Sequence, residues 1–321
     1  MPIVDMSLEK LREYEGINPR PADFDGFWDS SLAQMHAIDP EIELVQASFK
    51  APNVECFDLY FTGIGGARIH AKYLRPTNAK APHPGFVEFH GCSGSSGDWS
   101  SKLNYVSAGF SVMSLDCRGQ AGLSEDITPV KGNTLNGHII RGLIEDSPEK
   151  LYYRNVFLDT AQLAGIMMGR EEVDPKRVVA HGGSQGGGLT LACAALEPRI
   201  CRAAPAFPFL CDYKRVWDMD LDQAAYKELR DYFRNFDPRH EKENEIFTKL
   251  GYIDNQHLAP RIKAEIKMGT GLIDTVCPPS TQFAAFNKIT SKKDTVIYPD
   301  FGHEGLPGFN DIVFQWFMEI L

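Results

Sequence analysis

Hydrophobic and polar residues alternate through Phe57, Leu59 and Phe61 and again through Ile69, Ala71 and Tyr73, on either side of Gly63-Ile64-Gly65-Gly66-Ala67. Period-two runs flanking a glycine-rich turn predict an antiparallel hairpin. Upstream the period is helical. Leu8, Leu11 and Tyr14 share one face, and Phe24, Phe27, Trp28 and Leu32 recur after Pro21-Ala22-Asp23, so residues 1–40 are expected as an N-terminal helical arm whose aromatic stripe packs. Downstream, residues 85–90 and 109–116 are mostly apolar runs, as strands buried on both faces require. A helix is expected through Val156, Ala161, Leu163, Ala164, Met167 and Met168, a strand at 177–180, and a helix of small and apolar residues at 189–196. A strand begins at Ile200 and is broken by Pro205 and Pro208. Strand character returns at 266–269 and 295–298, with helices at 279–288 and from about 308 to 320. This order predicts an α/β fold around a mostly parallel central sheet. Residues 211–262 are charged and aromatic, with Tyr226, Leu229, Tyr232 and Phe233 at helical spacing. They read as a helical cap inserted above the sheet of a single domain covering 1–321, since no repeat or low-complexity linker divides the chain.

The candidate chemistry centres on His181-Gly182-Gly183-Ser184-Gln185-Gly186-Gly187-Gly188. A strand leads into Gly-x-Ser-x-Gly and a helix leaves it, which is the context of a nucleophile elbow: a turn too tight for flanking side chains, with the serine at its apex. The helix that follows Ser184 aims free N–H groups at negative charge developing on a carbonyl oxygen. A serine hydroxyl also needs a histidine to take its proton and an acid to hold that histidine's tautomer. The chain order for such an elbow is Ser, then Asp or Glu, then His. Of nine histidines only His240, His257 and His303 follow Ser184. His303 lies between the last strand and the last helix, whereas His240 sits among charges and His257 in the inserted block. Asp274 follows the strand at 266–270 and precedes two prolines that start the next helix; Asp294 and Asp300 are its competitors. The polar, glycine-rich stretch 91–99, after the strand at 85–90, falls where a second oxyanion donor is expected.

The formal charge of −10 and the absence of a basic run exclude a phosphate-backbone partner, so no nucleic acid is expected. No apolar stretch reaches membrane-span length and the amino terminus lacks a signal-peptide core, so the chain reads as cytoplasmic with no membrane partner. Seven cysteines without a Cys-x-x-Cys pair read as free thiols. No metal spacing, phosphate loop or dinucleotide fingerprint occurs, and no cofactor is expected.

Together, His90-Gly91, Arg118-Gly119-Gln120, the elbow, Gly271-Leu272-Ile273-Asp274 with Cys277-Pro278-Pro279-Ser280, and Gly302-His303-Glu304 resemble the cephalosporin C deacetylase and acetyl xylan esterase group, the seventh carbohydrate esterase family. The resemblance extends from Phe24-x-x-Phe27-Trp28 to the final helix. It implies an α/β-hydrolase fold and a triad of Ser184, Asp274 and His303, with oxyanion donors from the main-chain N–H of Cys92 and Gln185. Arg118 and Gln120 take supporting roles, and Phe207 and Pro208 wall a small acyl pocket. It further implies deacetylation of an acetylated oligosaccharide or small ester, and a homo-oligomer, a ring-like hexamer in the family. Cys92 stands where the family usually has tyrosine, and Ala121 where many members have glycine. A hydrolase-fold scaffold without catalysis and a serine peptidase are the alternatives.

Overall fold

The computed structural model describes residues 4–131 and 138–321. The expected hairpin forms from β2 (Val54–Thr62) and β3 (Arg68–Pro76), joined by a single turn of 3₁₀ helix at Ile64–Gly66. The remaining strands are β1 (Glu43–Gln46), β4 (His83–Phe89), β5 (Ser111–Leu115), β6 (Val173–Gly183), β7 (Arg202–Ala206), β8 (Glu265–Gly271) and β9 (Lys293–Tyr298). They make one nine-stranded sheet in the order β1-β2-β3-β5-β4-β6-β7-β8-β9. β1, β2, β3 and β5 pair antiparallel, and every pairing from β5 to β9 is parallel.

Helices clothe both faces. α4 (Tyr152–Met168) and α5 (Gln185–Leu196) cover one, and α3 (Leu103–Ser107) and α11 (Phe309–Met318) the other. Neighbouring strand residues divide between the two: Val87, Met113 and Ala180 face α4 and α5, while Phe86, Val112 and Val179 pack with Tyr105 of α3 and Phe317 of α11. Each of these valine, methionine and phenylalanine side chains contributes about 1.5–3 kcal/mol by leaving water, which is why the strands read as continuous apolar runs.

The arm comprises α1 (Leu8–Leu11) and α2 (Phe24–His36). Phe24 and Trp28 are fully buried, and the Trp28 ring stacks on Phe157 of α4 at 6.0 Å while its Nε1 donates to the Tyr252 carbonyl at 2.9 Å. The aromatic stripe is therefore packing within the chain. Residues 211–262 supply α6 (Tyr213–Asp218), α7 (Lys227–Phe236), α8 (Glu243–Leu250) and α9 (Asn255–Leu258). α7 stands over the cavity beside Ser184, but α9 returns to pack on α5 and on α10 (Pro279–Lys288), so the end of this block belongs to the helical layer and not to a cap. Nor is the hairpin the sheet edge, because β1 pairs along β2 and takes the edge itself. β1 is four residues long, three of them exposed, which leaves no apolar alternation to see in the sequence.

Candidate active site

β6 runs into the elbow and α5 leaves it, with Ser184 at φ 57° and ψ −120° between them. That conformation costs of order 1–3 kcal/mol and persists only where the surroundings hold it. Here they do. Ser184 N–H donates to the Ala206 carbonyl at 3.0 Å, and the Ser184 carbonyl accepts from Gly188 and Phe209 at 3.0 Å each. A Cβ on Gly186 would meet the Phe89 oxygen at 2.1 Å and one on Gly182 would meet Gly186 main chain at 2.6 Å, so glycine is needed for close approach of α5 to β4.

The structure brings three separated residues together. His303, in the loop between β9 and α11, places Nε2 2.9 Å from Ser184 Oγ and Nδ1 2.9 Å from Asp274 Oδ2. The fully buried Asp274 is fixed at the end of β8 by N–H groups of Val276 and Cys277, both 2.8 Å from its Oδ1. Asp274 thus accepts the Nδ1–H, and Nε2 is left free to accept the serine proton. The competitors lie elsewhere: Asp300 is exposed and Asp294 pairs with Lys267 at 3.4 Å. His240 lies 3.1 Å from Glu243, and the buried His257 is held by the Asn18 carbonyl at 3.1 Å.

Register supplies the other half of the site. Phe89 of β4 pairs with Gly182 of β6, so the loop carrying Cys92 emerges beside the elbow. Among the described residues neither Cys92 N–H nor Gln185 N–H has an acceptor. Gln120 ties the two donors together. Its Oε1 accepts from Ser93 N–H at 2.8 Å and from Gln185 Nε2 at 3.1 Å, and its Nε2 donates to Gln185 Oε1 at 2.9 Å and to the Tyr152 hydroxyl at 3.0 Å. Tyr153 adds a hydroxyl donor to Gln185 Oε1 at 2.8 Å. Arg118 forks as its chemistry allows, onto Asp159 of α4 at 2.7 Å twice and onto the Ile64 carbonyl at 3.3 Å, with both ionic side chains fully buried. Asp159 escaped the sequence reading because its position within an apolar helix gives no hint of its partner.

The Acetyl xylan esterase (AXE1) family model matches residues 1–320. The chain belongs to the acetyl xylan esterase family. With it comes the class of carboxylic ester hydrolases on the α/β-hydrolase fold. The chain is similar to acetyl xylan esterase 1 from Thermoanaerobacterium sp. JW/SL YS485, with 59% identity, a TM-score of 0.97 and coverage of 98% of this chain and 99% of that one. An acetyl xylan esterase from Paenibacillus sp. R4 is 34% identical, with a TM-score of 0.93 over 98% of this chain and 100% of that one. Among curated proteins, acetyl esterase Axe7A of Xylanibacter ruminicola is 26% identical over 308 residues, 92% of this chain; the chain spans 66% of that relative's length.

In this acetyl xylan esterase family member Ser184, His303 and Cys92 open onto a cavity of about 600 Å³. Phe209 lines it, whereas Phe207, expected as its wall, packs edge-on to the His303 ring at 5.0 Å and lines a separate recess of about 340 Å³. Pro208 is not among the lining residues; its main chain instead abuts Gly187 of α5. The proline follows a turn with Phe207 at φ 32°, which swings the following phenylalanine to the cavity. The far wall comes from residues the sequence did not single out: His138 and, on α7, Lys227, Glu228 and Asp231. Glu228 is four residues before Tyr232, so it shares that buried face of α7, the one signal that pointed to it. Burial pushes its carboxyl up to about 7 and pulls the His138 imidazole down to about 4. Burial also raises the Cys92 thiol.

Asp274, Cys277 and His303 are the group among the described residues with three metal-ligand atoms within 4.8 Å. In that group both imidazole nitrogens and both Asp274 oxygens are already hydrogen-bonded inside the protein. Among the described residues no helix is long and apolar enough to cross a membrane.

Proposed function

We propose that this esterase removes acetyl groups from short oligosaccharides and small esters, with Ser184 as nucleophile, His303 as general base and acid, and Asp274 as the group that orients His303. The observation that carries this reading is the continuous relay from Ser184 Oγ through His303 to Asp274, at 2.9 Å for each link, beside two acceptor-free main-chain N–H groups. Ser184 Oγ attacks the acyl carbon as Nε2 takes its proton, and N–H groups of Cys92 and Gln185 receive the charge on the carbonyl oxygen. His303 then protonates the leaving alcohol oxygen. Water, deprotonated by His303, resolves the acetyl-Ser184 ester by the same steps in reverse. Phe209, which lines the cavity beside Ser184, is the aromatic wall that favours acetyl over longer acyl groups.

Turnover of p-nitrophenyl acetate by Ser184→Ala is expected to fall at least about 10⁴-fold. Equal turnover by the variant would sink the assignment, and a rate profile rising from acetate to octanoate would contradict the acyl preference. Cephalosporin-type esters belong to the same proposal, as small acetylated molecules that fit a cavity of about 600 Å³.

A cytoplasmic location and a hexamer complete the proposal by family resemblance, and the exposed apolar side chains of Val45 on the edge strand β1 and of Ile42 just before it are groups such an assembly would cover. Light scattering should give a multiple of 35.8 kDa, and acetylated xylan polymer should react far more slowly than its short oligosaccharides. A monomer at micromolar concentration would refute the first and equal rates the second.

A further inference from the structure

Glu228 spends its carboxylate on the main chain of a segment far away in sequence. Oε1 accepts from His138 N–H at 2.9 Å, and Oε2 accepts from Ile139 N–H at 2.7 Å and Ile140 N–H at 3.2 Å. Side chain and segment meet in the wall of the cavity that Ser184 and His303 also line. The segment matters because the His138 ring faces the cavity, stacked on Tyr152 at 5.0 Å and with Nε2 3.4 Å from Ser93 Oγ, the residue after Cys92.

A carboxylate that is 7% exposed is an expensive way to hold a loop, because a buried charge costs several kcal/mol unless donors replace its water. No cation pairs with it among the described residues; its neighbour Lys227 pairs with Asp231. Three N–H donors converge on its two oxygens, and the ionised acid, which only accepts and makes each bond charge-assisted, meets them best.

We infer that Glu228 is a positioning residue for substrate binding: its ionised carboxylate clamps the main chain at 138–140 and thereby fixes the His138 wall of the cavity. The inference rests on the esterase reading of that cavity. Its effect falls on KM, since Glu228 touches none of Ser184, His303 or Asp274. Protonation removes the charge and turns one oxygen into a hydroxyl, so the three N–H bonds lose their charge assistance and the clamp weakens. Burial, reinforced by the charge of Asp231 and opposed by the three N–H groups, brings that protonation to about pH 7. The other titratable and charged groups around Glu228 are Lys227 on its own helix, His138, Cys92 and His303 in the cavity, Tyr153 of α4 and Tyr213 of α6. His138, held neutral by burial down to about 4, is not the group that titrates there.

In the wild type, KM for p-nitrophenyl acetate should rise about tenfold as pH falls through about 7, read apart from any change in kcat. Glu228→Gln should show the raised KM at every pH, with kcat within about threefold of wild type, and Glu228→Asp should recover part of the affinity. Hydrogen exchange supplies a readout that needs no turnover. The amides of Ile139 and Ile140 should exchange at least about ten times faster in Glu228→Gln, and wild-type protection there should weaken on acidification once intrinsic rates are corrected. A KM in Glu228→Gln within about twofold of wild type, or wild-type protection unchanged through pH 7, overturns the inference. The wild-type measurements decide it even where the variant does not fold. Retained activity in Ser184→Ala sinks the esterase assignment and leaves the exchange result standing, so the two failures are told apart.

Discussion

Ser184 keeps its strained backbone because both of its main-chain groups are engaged by residues that are themselves fixed in the sheet and in α5. The same economy applies at Cys92, where the proposed role needs the main-chain N–H and not the thiol. Cys92→Ala should keep most activity and Cys92→Pro, which deletes the donor, should lose on the order of 10²-fold in kcat. Equal damage from both would show that the donor is elsewhere. Asp159 presents the opposite case, since its carboxylate is the only acid on the buried Arg118 fork among the described residues. Asp159→Ala should cost about 3–5 kcal/mol in urea unfolding, because it strands a guanidinium out of water; a loss under about 1 kcal/mol would mean that Arg118 finds another partner. Ser184, Asp274 and His303 were legible in sequence because glycine constraints and chain order mark them. Asp159 and Glu228 were not, because a buried acid is defined by a partner that the chain supplies about 40 and 90 residues away.

Elements were legible where both faces are buried. β4, β5, α4 and α5 were visible because nearly every position in them is buried, and the hairpin read as period two. β1 and α3 are short and carry no complete period, so only pairing and packing define them. The arm was read correctly as packing, but what seats it was hidden. Asp212, at φ 47° and fully buried, accepts from the Tyr14 hydroxyl at 2.8 Å, from Ile17 N–H at 3.2 Å and from Asn18 N–H at 2.9 Å. Asp212→Ala orphans all three donors at once. A loss of roughly 3 kcal/mol is expected, with new protease cleavage between α1 and α2. An arm as resistant as in wild type would show that α2 alone seats it.

For the molecule as a whole, acids buried without a cation make stability depend on pH. Asp254, fully buried beside Asp212, is raised by burial to about 6. The folded protein therefore binds this proton more tightly than the unfolded chain. The stability linked to it is complete below about pH 4 and is lost as pH rises through about 6. Asp254→Asn removes the titration while keeping Oδ1 for the N–H groups of Asp212 and Gln256. Its Tm relative to wild type should improve steadily from about pH 4 to about pH 7; an offset that stays constant over that interval would contradict the linkage.

Phe89 opposite Gly182 has a longer reach than the site it builds. The proposed nucleophile and both proposed oxyanion donors hang from two hydrogen-bonded neighbours, β4 and β6, while the wall carrying Glu228 hangs from α7. Breathing or redesign of α7 moves the far wall without stretching the reacting geometry. Evolution, or an engineer, can therefore redraw which alcohols are admitted and inherit an acyl-transfer centre that already works.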